Sequence, residues 1–271
     1  MTLAEKITRA KTDYDNVFDA GYEKGKAEGG GSGGGTSTTN VLAKALLPKM
    51  TSFESMFNGY SDMTDEDLAF AGFTKENTSQ VTTVRAMFTD CSQITTLPEM
   101  DLSNCTDMIR FAQRCSNLKS VPMYNTRNVK SFESVLQLCR ELVDGPCWDA
   151  RNVTSFYSAF SWCDKMTNLG LKNIKVNLDL ATCSALQIDS CINLVRECIN
   201  TGSTRTIYFP RKLRAQIGSI YIKPIEITDE MREEDDLIGE KSPFEVCDST
   251  DDGAILLTNY APSKNWNIAF T

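Results

Sequence analysis

Histidine is absent from this chain of 271 residues. Without an imidazole there is no Ser-His-Asp or Cys-His pair of nucleophile and base, and no metal site with a histidine ligand. The chain also lacks a glycine-rich G-x-G-x-x-G turn after a predicted strand, and a phosphate-binding loop with its lysine. We therefore expect no catalytic residues, no cofactor and no metal ion, which makes an enzyme the third choice of function class.

Two acidic stretches come nearest to a metal or catalytic site. Residues 248–253 match the opening of a calcium-binding loop, but Asn259 stands where the loop needs a bidentate glutamate. The run of carboxylates from residue 226 to residue 236 offers paired acids, although such a run is usually a solvated face. We expect an acidic turn and a solvated surface, with calcium binding and a carboxylate pair as the alternatives.

Apolar runs are short throughout the chain. None approaches the roughly 18–20 residues that span a bilayer, and residues 1–6 are too polar for the apolar core of a signal peptide. Lys and Arg number 28 against 36 Asp and Glu, a net charge of −8, whereas nucleic-acid binding needs clustered basic residues. We expect a protein made in a cytoplasm, with no signal peptide, no membrane insertion and no nucleic-acid partner.

The chain does contain an internal repeat of 24 residues between residues 81 and 176. Four cysteines are spaced by that step, and apolar residues keep it at several other positions. A period of about 20–50 residues indicates units that stack, since one unit cannot bury its apolar side alone. We expect the core of the stack to contain Phe88, Cys91, Met108, Cys115, Phe132, Cys139, Phe156, Phe160 and Cys163.

Each unit is predicted to hold a short helix and a short strand. In residues 153–160 the apolar side chains recur at steps of three and four, which is typical of one face of a helix. In residues 94–98 an apolar run ends at Pro98, which suits a strand whose ladder stops there because proline has no N–H. Stacked units would line these strands into a narrow parallel sheet on one face, with the helices on the other.

Ten cysteines also invite a disulfide or zinc interpretation. Cysteines at identical positions of successive units would form a row along the stack, whereas a zinc site needs a tetrahedral cluster. The remaining six cysteines show no C-x-x-C pair. Because a free cysteine behaves as a small buried hydrophobe, we favour structural thiols and keep disulfides and a metal site as alternatives.

The repeat resembles a known family. The segments AMFTDC at residues 86–91 and MDLSNCTDM at residues 100–108 are similar to the BspA-type leucine-rich repeats of bacterial surface proteins, which also occur in proteins encoded by phages of gut bacteria. The resemblance covers about residues 50–200. It implies an α/β fold, a leucine-rich-repeat solenoid of about five 24-residue units (the first one 31 long) with an N-terminal helix and a C-terminal α/β cap.

The chain divides into four predicted segments. Residues 1–28 form an anchoring or oligomerising helix, 29–40 a glycine-rich linker, 41–176 the repeats, and 177–271 a C-terminal cap with an acidic insertion at 221–252. In the cap we expect strands at 176–180, 204–209 and 265–270 and a helical face at 190–200. The apolar seam of the first segment consists of Leu3, Ile7, Ala10, Tyr14 and Val17. In the alternative interpretation this segment is a single amphipathic helix that packs on a larger body.

The resemblance also suggests a function. Residues 2–7 and 10–15 look like the opening of phage tail and fibre proteins. We expect a non-enzymatic virion structural protein (fibre, spike or baseplate-associated) that meets other virion proteins through its N-terminal helix and forms a homo-oligomer, with a trimer favoured by analogy with fibres. A bacterial cell-surface adhesin is the alternative.

The repeat surface is expected to bind a host protein or glycan in host attachment. Candidate contact residues on the exposed helices are Arg110, Arg114, Tyr157 and Trp162, because exposed aromatic and arginine side chains often carry such contacts. For the two aromatic residues, a place in the interior or in the cap is an equal alternative.

Overall fold

The computed structural model describes residues 46–237, 240–241 and 243–271, together with Thr12. The glycine-rich linker and the predicted N-terminal seam lie outside the described residues; the seam consists of Leu3, Ile7, Ala10, Tyr14 and Val17. Within the described part of the chain, no helix has the length and hydrophobicity of a membrane span.

The predicted α/β leucine-rich-repeat solenoid is wrong. From residue 81 to residue 177 the chain forms turns, bends and isolated β-bridges, with neither a helix nor a strand. Among the described residues, all strands lie after this region and form two small sheets of three strands each. The helix predicted at 153–160 and the strand predicted at 94–98 therefore do not form.

Regular elements of the described residues flank this turn region. Before it come a 3₁₀ helix at Leu47–Lys49, α1 (Asp65–Ala71) and α2 (Lys75–Thr78). After it come β1 (Leu178–Asp179), α3 (Ile188–Arg196), β2 (Arg205–Phe209), a second 3₁₀ helix at Arg211–Leu213, α4 (Arg214–Ile217), β3 (Tyr221–Pro224), α5 (Asp229–Glu234), β4 (Phe244–Cys247), β5 (Ile255–Leu256), α6 (Leu257–Ser263) and β6 (Trp266–Phe270). In the C-terminal part, α3, β1, β2 and β6 form in stretches for which the sequence predicts a helix and three strands.

Left-handed residues at two fixed positions of each unit explain why the repeat is not helical. With φ between 51° and 66°, they are Ala86, Arg110, Ser134 and Ser158 at the first position and Asp90, Arg114, Leu138 and Trp162 at the second. A helix needs φ near −63° throughout, whereas a type II turn needs a positive φ at its third residue. In one unit the N–H of Met87 donates to the carbonyl of Val84 over 3.1 Å. Consecutive turns of this kind replace the helix.

The N–H groups that do not close turns join each unit to the next. In one such ladder Val84, Ala86, Phe88 and Asp90 donate to the carbonyl oxygens of Asp107, Ile109, Phe111 and Gln113 over 2.8–3.0 Å. Equivalent ladders join the other units from residue 50 to the last unit, residues 153–176; we call these joined units the repeat stack. Alternate N–H groups therefore donate within the turn and to the next unit, so the buried backbone groups there are hydrogen-bonded.

One hydrophobic core runs through the repeat stack. The nine predicted core residues are all 3% exposed or less: Phe88, Cys91, Met108, Cys115, Phe132, Cys139, Phe156, Phe160 and Cys163. Aromatic rings touch from unit to unit, with 5.6 Å between the ring centres of Phe57 and Phe88 and 5.5 Å between those of Phe88 and Phe111. These separations are typical of favourable aromatic pairs, so the rings link successive layers of the core.

The repeat cysteines are free, buried thiols that also donate hydrogen bonds. The Sγ of Cys115 lies 3.0 Å from the carbonyl oxygen of Phe88, and the Sγ of Cys139 lies 3.2 Å from that of Ala112. Burial raises the pKa of the Cys91 and Cys163 thiols to about 12. Each position thus holds a small apolar group that stays protonated and satisfies a carbonyl of the preceding unit.

The C-terminal part contains two sheets. Strands β1, β2 and β6 are parallel in the order β1-β2-β6, with Leu178 opposite Ile207 and Ile207 opposite Ile268. Strands β4, β3 and β5 are antiparallel in the order β4-β3-β5. The acidic insertion predicted at 221–252 therefore supplies β3, α5 and β4, and so forms most of the second sheet.

Ion pairs around Lys241 and around Asp236 hold the acidic insertion in place. Lys241, which is 6% exposed, pairs with Glu197 beyond α3 and with Asp235 after α5. Arg151 of the repeat stack binds Asp236 over 2.8 Å, and this hydrogen bond lowers the pKa of the Asp236 carboxyl. The insertion is thus attached both to the C-terminal part and to the repeats.

Burial of the repeat thiols predicts slow alkylation. Under native conditions a thiol reagent should modify the exposed Cys147 first, while Cys91, Cys115, Cys139 and Cys163 should react only after denaturation, because they are inaccessible and protonated. Peptide mass spectrometry after timed alkylation measures each site. Rapid native labelling of any of the four, or a mass loss that matches a disulfide, would contradict this account.

Removing one ring from the core should destabilise the fold. Phe160 has 0% exposure, and a buried Phe→Ala change typically lowers the free energy of unfolding by about 3–5 kcal/mol. We expect Phe160→Ala to do so in denaturant titrations. The matched control is Met123→Ala, since Met123 is 72% exposed and should change stability by less than about 0.5 kcal/mol. Equal, small effects of both substitutions would show that this layer is not packed.

Candidate binding cleft

The two predicted arginine contacts lie on turns rather than on helices. Arg110 and Arg114 are exposed and have left-handed backbones, with φ of 57° and 62°. The guanidinium of Arg114 lies 3.6 Å from the carboxylate of Asp90, a surface pair of the kind that contributes little to stability. Both face solvent within the repeat stack, away from the cleft described below.

The two predicted aromatic contacts lie on the last unit. Trp162 is 50% exposed, and the guanidinium of Arg140 lies 5.8 Å from its ring centre. The backbone N–H of Trp162 donates to the Oγ1 of Thr182 over 2.8 Å. Tyr157 is 71% exposed. Of the alternatives that the sequence left open for these residues, the exposed position is the one the structure shows, and Tyr157 presents the larger surface.

Tyr157 lies on one wall of a cleft of about 490 Å³. Residues 154–158 form that wall, at the end of the repeat stack. Asn177, Asp179, Arg205 and Tyr208 line the opposite side, which belongs to the first C-terminal sheet and the residue before it. The volume lies within the range of about 300–1,000 Å³ that is typical of ligand sites.

The cleft exists because the backbone ladder ends here. On its inner side the last unit accepts hydrogen bonds from the preceding one, as in the 2.9 Å bond from the N–H of Ser134 to the carbonyl of Tyr157. On its outer side, no hydrogen bond from the N–H of Phe156 or of Ser158 is present within the described residues. The segment that would continue the ladder instead joins the sheet, where the N–H of Leu180 donates to the carbonyl of Tyr208 over 2.8 Å.

The polar groups of the opposite wall are held by local hydrogen bonds. The Nε of Arg205 donates to the carbonyl of Lys175 over 3.3 Å, and the carboxylate of Asp179 accepts the N–H of Ala181 over 2.9 Å. Asn177 accepts the N–H of Thr206 through its Oδ1 over 2.9 Å. The wall therefore carries both signs of charge at fixed places, beside the Tyr208 ring.

Metal coordination has no candidate group in the described part of the chain, since no three His, Cys, Asp or Glu side chains there converge on one point. The acidic segments stay outside the cleft. Sequence reasoning named Tyr157 as a candidate contact residue, with an interior position as an equal alternative, and missed Asp179, Arg205 and Tyr208. The available signal was the loss of repeat register after Gly170, because the ladder between units is not expected to continue where the repeat pattern stops.

The comparisons with known proteins reach only the repeats. Residues 51–173 match the protein family described as "Mycoplasma protein of unknown function, DUF285". The matched residues are fewer than half of the chain, and the description names no activity. No curated protein and no solved structure matches the chain. The repeat stack is thus similar to this uncharacterised family, while the C-terminal wall of the cleft lies outside the match.

Proposed function

We propose that this protein is a non-enzymatic structural protein of a phage virion, a fibre, spike or baseplate-associated component that displays a binding surface for a host protein or glycan. The observation that carries the binding role is the open cleft at the end of the repeat stack, with the exposed Tyr157 on its wall. A large aromatic side chain left in water at the rim of a cleft suits contact with a partner.

Rigidity of the scaffold supports a display role. Ladder bonds of 2.8–3.0 Å and a continuous core fix the position of Tyr157 relative to the units below it. A surface that is ordered before binding loses less conformational entropy when a partner arrives. The repeat stack therefore suits presentation of a fixed surface to a partner outside the protein.

The virion assignment rests on the resemblance of the repeat segments and of residues 2–7 and 10–15 to phage-encoded proteins. In this proposal residues 1–28 attach the protein to other virion proteins or to its own copies, as a homo-oligomer and, by analogy with fibres, a trimer. The virion is then its location. A bacterial surface adhesin with the same kind of repeats is the second candidate. It would use the same cleft for binding but would be located on the bacterial surface instead of in a virion.

Deletion of residues 2–35 tests the attachment role. We expect the shortened chain to keep its circular dichroism spectrum, because the repeats and C-terminal sheets bury their own core, but to lose self-association in light scattering and incorporation into particles. The full-length chain is the control. Incorporation of the shortened chain at the full-length level would contradict the attachment role, and recovery of the native protein in host envelopes instead of particles would favour the adhesin.

Substitution of Tyr157 tests the binding role. Tyr157→Ala should weaken binding to host cells at least about fivefold, because truncation of a central interface residue commonly costs more than 1 kcal/mol. The matched control is Met123→Ala, which removes an equally exposed side chain (72%) elsewhere on the stack. Flow cytometry with labelled protein measures both variants. Equal binding by the two variants would remove Tyr157 and its cleft from the proposed surface.

A further inference from the structure

We propose that the cleft at the end of the repeat stack binds an extended peptide segment of a partner protein, which is held through its backbone carbonyl oxygens. This inference rests on the proposed binding function and specifies its ligand. It starts from the N–H groups of Phe156 and Ser158, which line the cleft and donate no hydrogen bond within the described residues.

The repeat stack itself shows what these donors accept. At the equivalent positions one unit earlier, the N–H groups of Phe132 and Ser134 donate to the carbonyl oxygens of Ser155 and Tyr157 over 3.0 and 2.9 Å. In an earlier unit the donors are again two residues apart, since the N–H groups of Val84 and Ala86 donate to the carbonyl oxygens of Asp107 and Ile109. Along residues 84–90, 110–114 and 132–138 the acceptor is thus a peptide backbone that offers a carbonyl at every second residue. The N–H of Met108, which is equivalent to that of Phe156, donates no hydrogen bond among the described residues, whereas the equivalents of Ser158 all donate.

The last unit keeps the same backbone but loses this neighbour. Ser158 has a φ of 53°, close to the 51° of Ser134, so its unit has not changed conformation at the end of the stack. What changes is the following segment, which pairs with β2 as strand β1. The donors therefore retain the geometry of a filled ladder while the acceptor chain is absent from the cleft.

The opposite wall offers a second edge. Strand β1 is the outermost strand of its sheet and pairs with β2 alone among the described strands. An edge strand leaves backbone groups free to bind another chain, and added strands are a recurring mode of peptide recognition. A peptide in the cleft would lie between the edge of the last unit and that of β1, with the exposed ring of Tyr157 against its side chains.

The spacing of the donors favours a peptide over a glycan. A peptide presents carbonyl oxygens at regular intervals along one side, which matches donors two residues apart. A glycan can stack on Tyr157, but its hydroxyl groups have no such period. The periodic donors and the edge strand, taken together, point to a polypeptide ligand.

Hydrogen–deuterium exchange of the full-length protein tests this inference. In the free protein the amides of Phe156 and Ser158 should exchange at least about tenfold faster than those of Phe132 and Ser134, because only the latter pair is hydrogen-bonded. The probe ligand is a synthetic peptide with the sequence VTSFYSAFSW, taken from residues 153–162, whose carbonyl groups fill the preceding ladder. Adding it should slow exchange at Phe156 and Ser158 and leave Phe132 and Ser134 unchanged.

Two controls separate the peptide from other ligands. A depsipeptide with ester bonds at the positions of the Ser155 and Tyr157 carbonyls, which are then weaker acceptors, should protect at least about fivefold less. Tyr157→Ala should weaken peptide binding about fivefold, and Met123→Ala should not. Equal exchange of the two amide pairs in the free protein, or no protection by the peptide, overturns the inference.

A glycan can be distinguished in the same experiment. Protection of Phe156 and Ser158 by oligosaccharides released from host cells, without protection by the peptide, overturns the peptide inference and leaves the proposed binding function standing. Failure of the proposed function has a different signature, since host-cell binding and particle incorporation are measured without the peptide. The two failures are therefore separable.

Discussion

The backbone hydrogen-bond ladder between units is the interaction on which the rest of the structure depends. Along the turn segment of a unit, as at residues 84–91, alternate N–H groups donate to the next unit and the intervening N–H groups close turns within the unit. Each such hydrogen bond stabilises the fold by only about 0.5–1.5 kcal/mol net, but a buried donor or acceptor left without a partner costs about 1–3 kcal/mol. An inner unit is therefore stabilised by the neighbour on its outer side. The last unit lacks that neighbour at Phe156 and Ser158, so the stack has to end in a different arrangement.

The ladder also determines which side chains the repeat retains. Left-handed residues recur at two positions of each unit, where Ala, Arg, Ser, Asp, Leu and Trp all occur. Since a positive φ is uncommon for such residues, surrounding bonds must hold it, and the ladder supplies them. The thiols then add one bond per unit from the core side, as Cys163 does to the carbonyl of Leu136 over 3.2 Å. Cysteine suits this place because it is small, apolar and a weak donor.

The sequence predicts the period and the apolar positions of the repeat but not its backbone. Apolar residues at steps of three and four fit a helix, and the same steps fit successive turns in which Val84, Met87, Phe88 and Cys91 all point inward. Only the sign of φ at Ala86 and Asp90 separates the two, and no glycine or asparagine marks it. In the C-terminal part β2 and β6 were predictable, because alternation along a strand does not depend on neighbours. The cleft was not, since Tyr157, Asp179, Arg205 and Tyr208 meet through a change of pairing that local patterns do not encode.

The end of the stack follows from competition between two partners for one segment. Phe132 and Ser134 donate to Ser155 and Tyr157, and the same step in sequence from Phe156 and Ser158 leads to residues 179 and 181. Residues 178–179 pair instead with β2, whose other edge pairs with β6. In the parallel sheet, where Ile207 and Phe209 are buried, that segment gains both hydrogen bonds and a hydrophobic core. In the ladder it would gain hydrogen bonds alone, because its sequence no longer has the apolar pattern of the repeat. The segment therefore pairs with β2, and the N–H groups of Phe156 and Ser158, two residues that line the cleft, are left without an acceptor among the described residues. The same competition that closes the C-terminal sheet thus creates the open edge, so the candidate site is a consequence of how the fold ends.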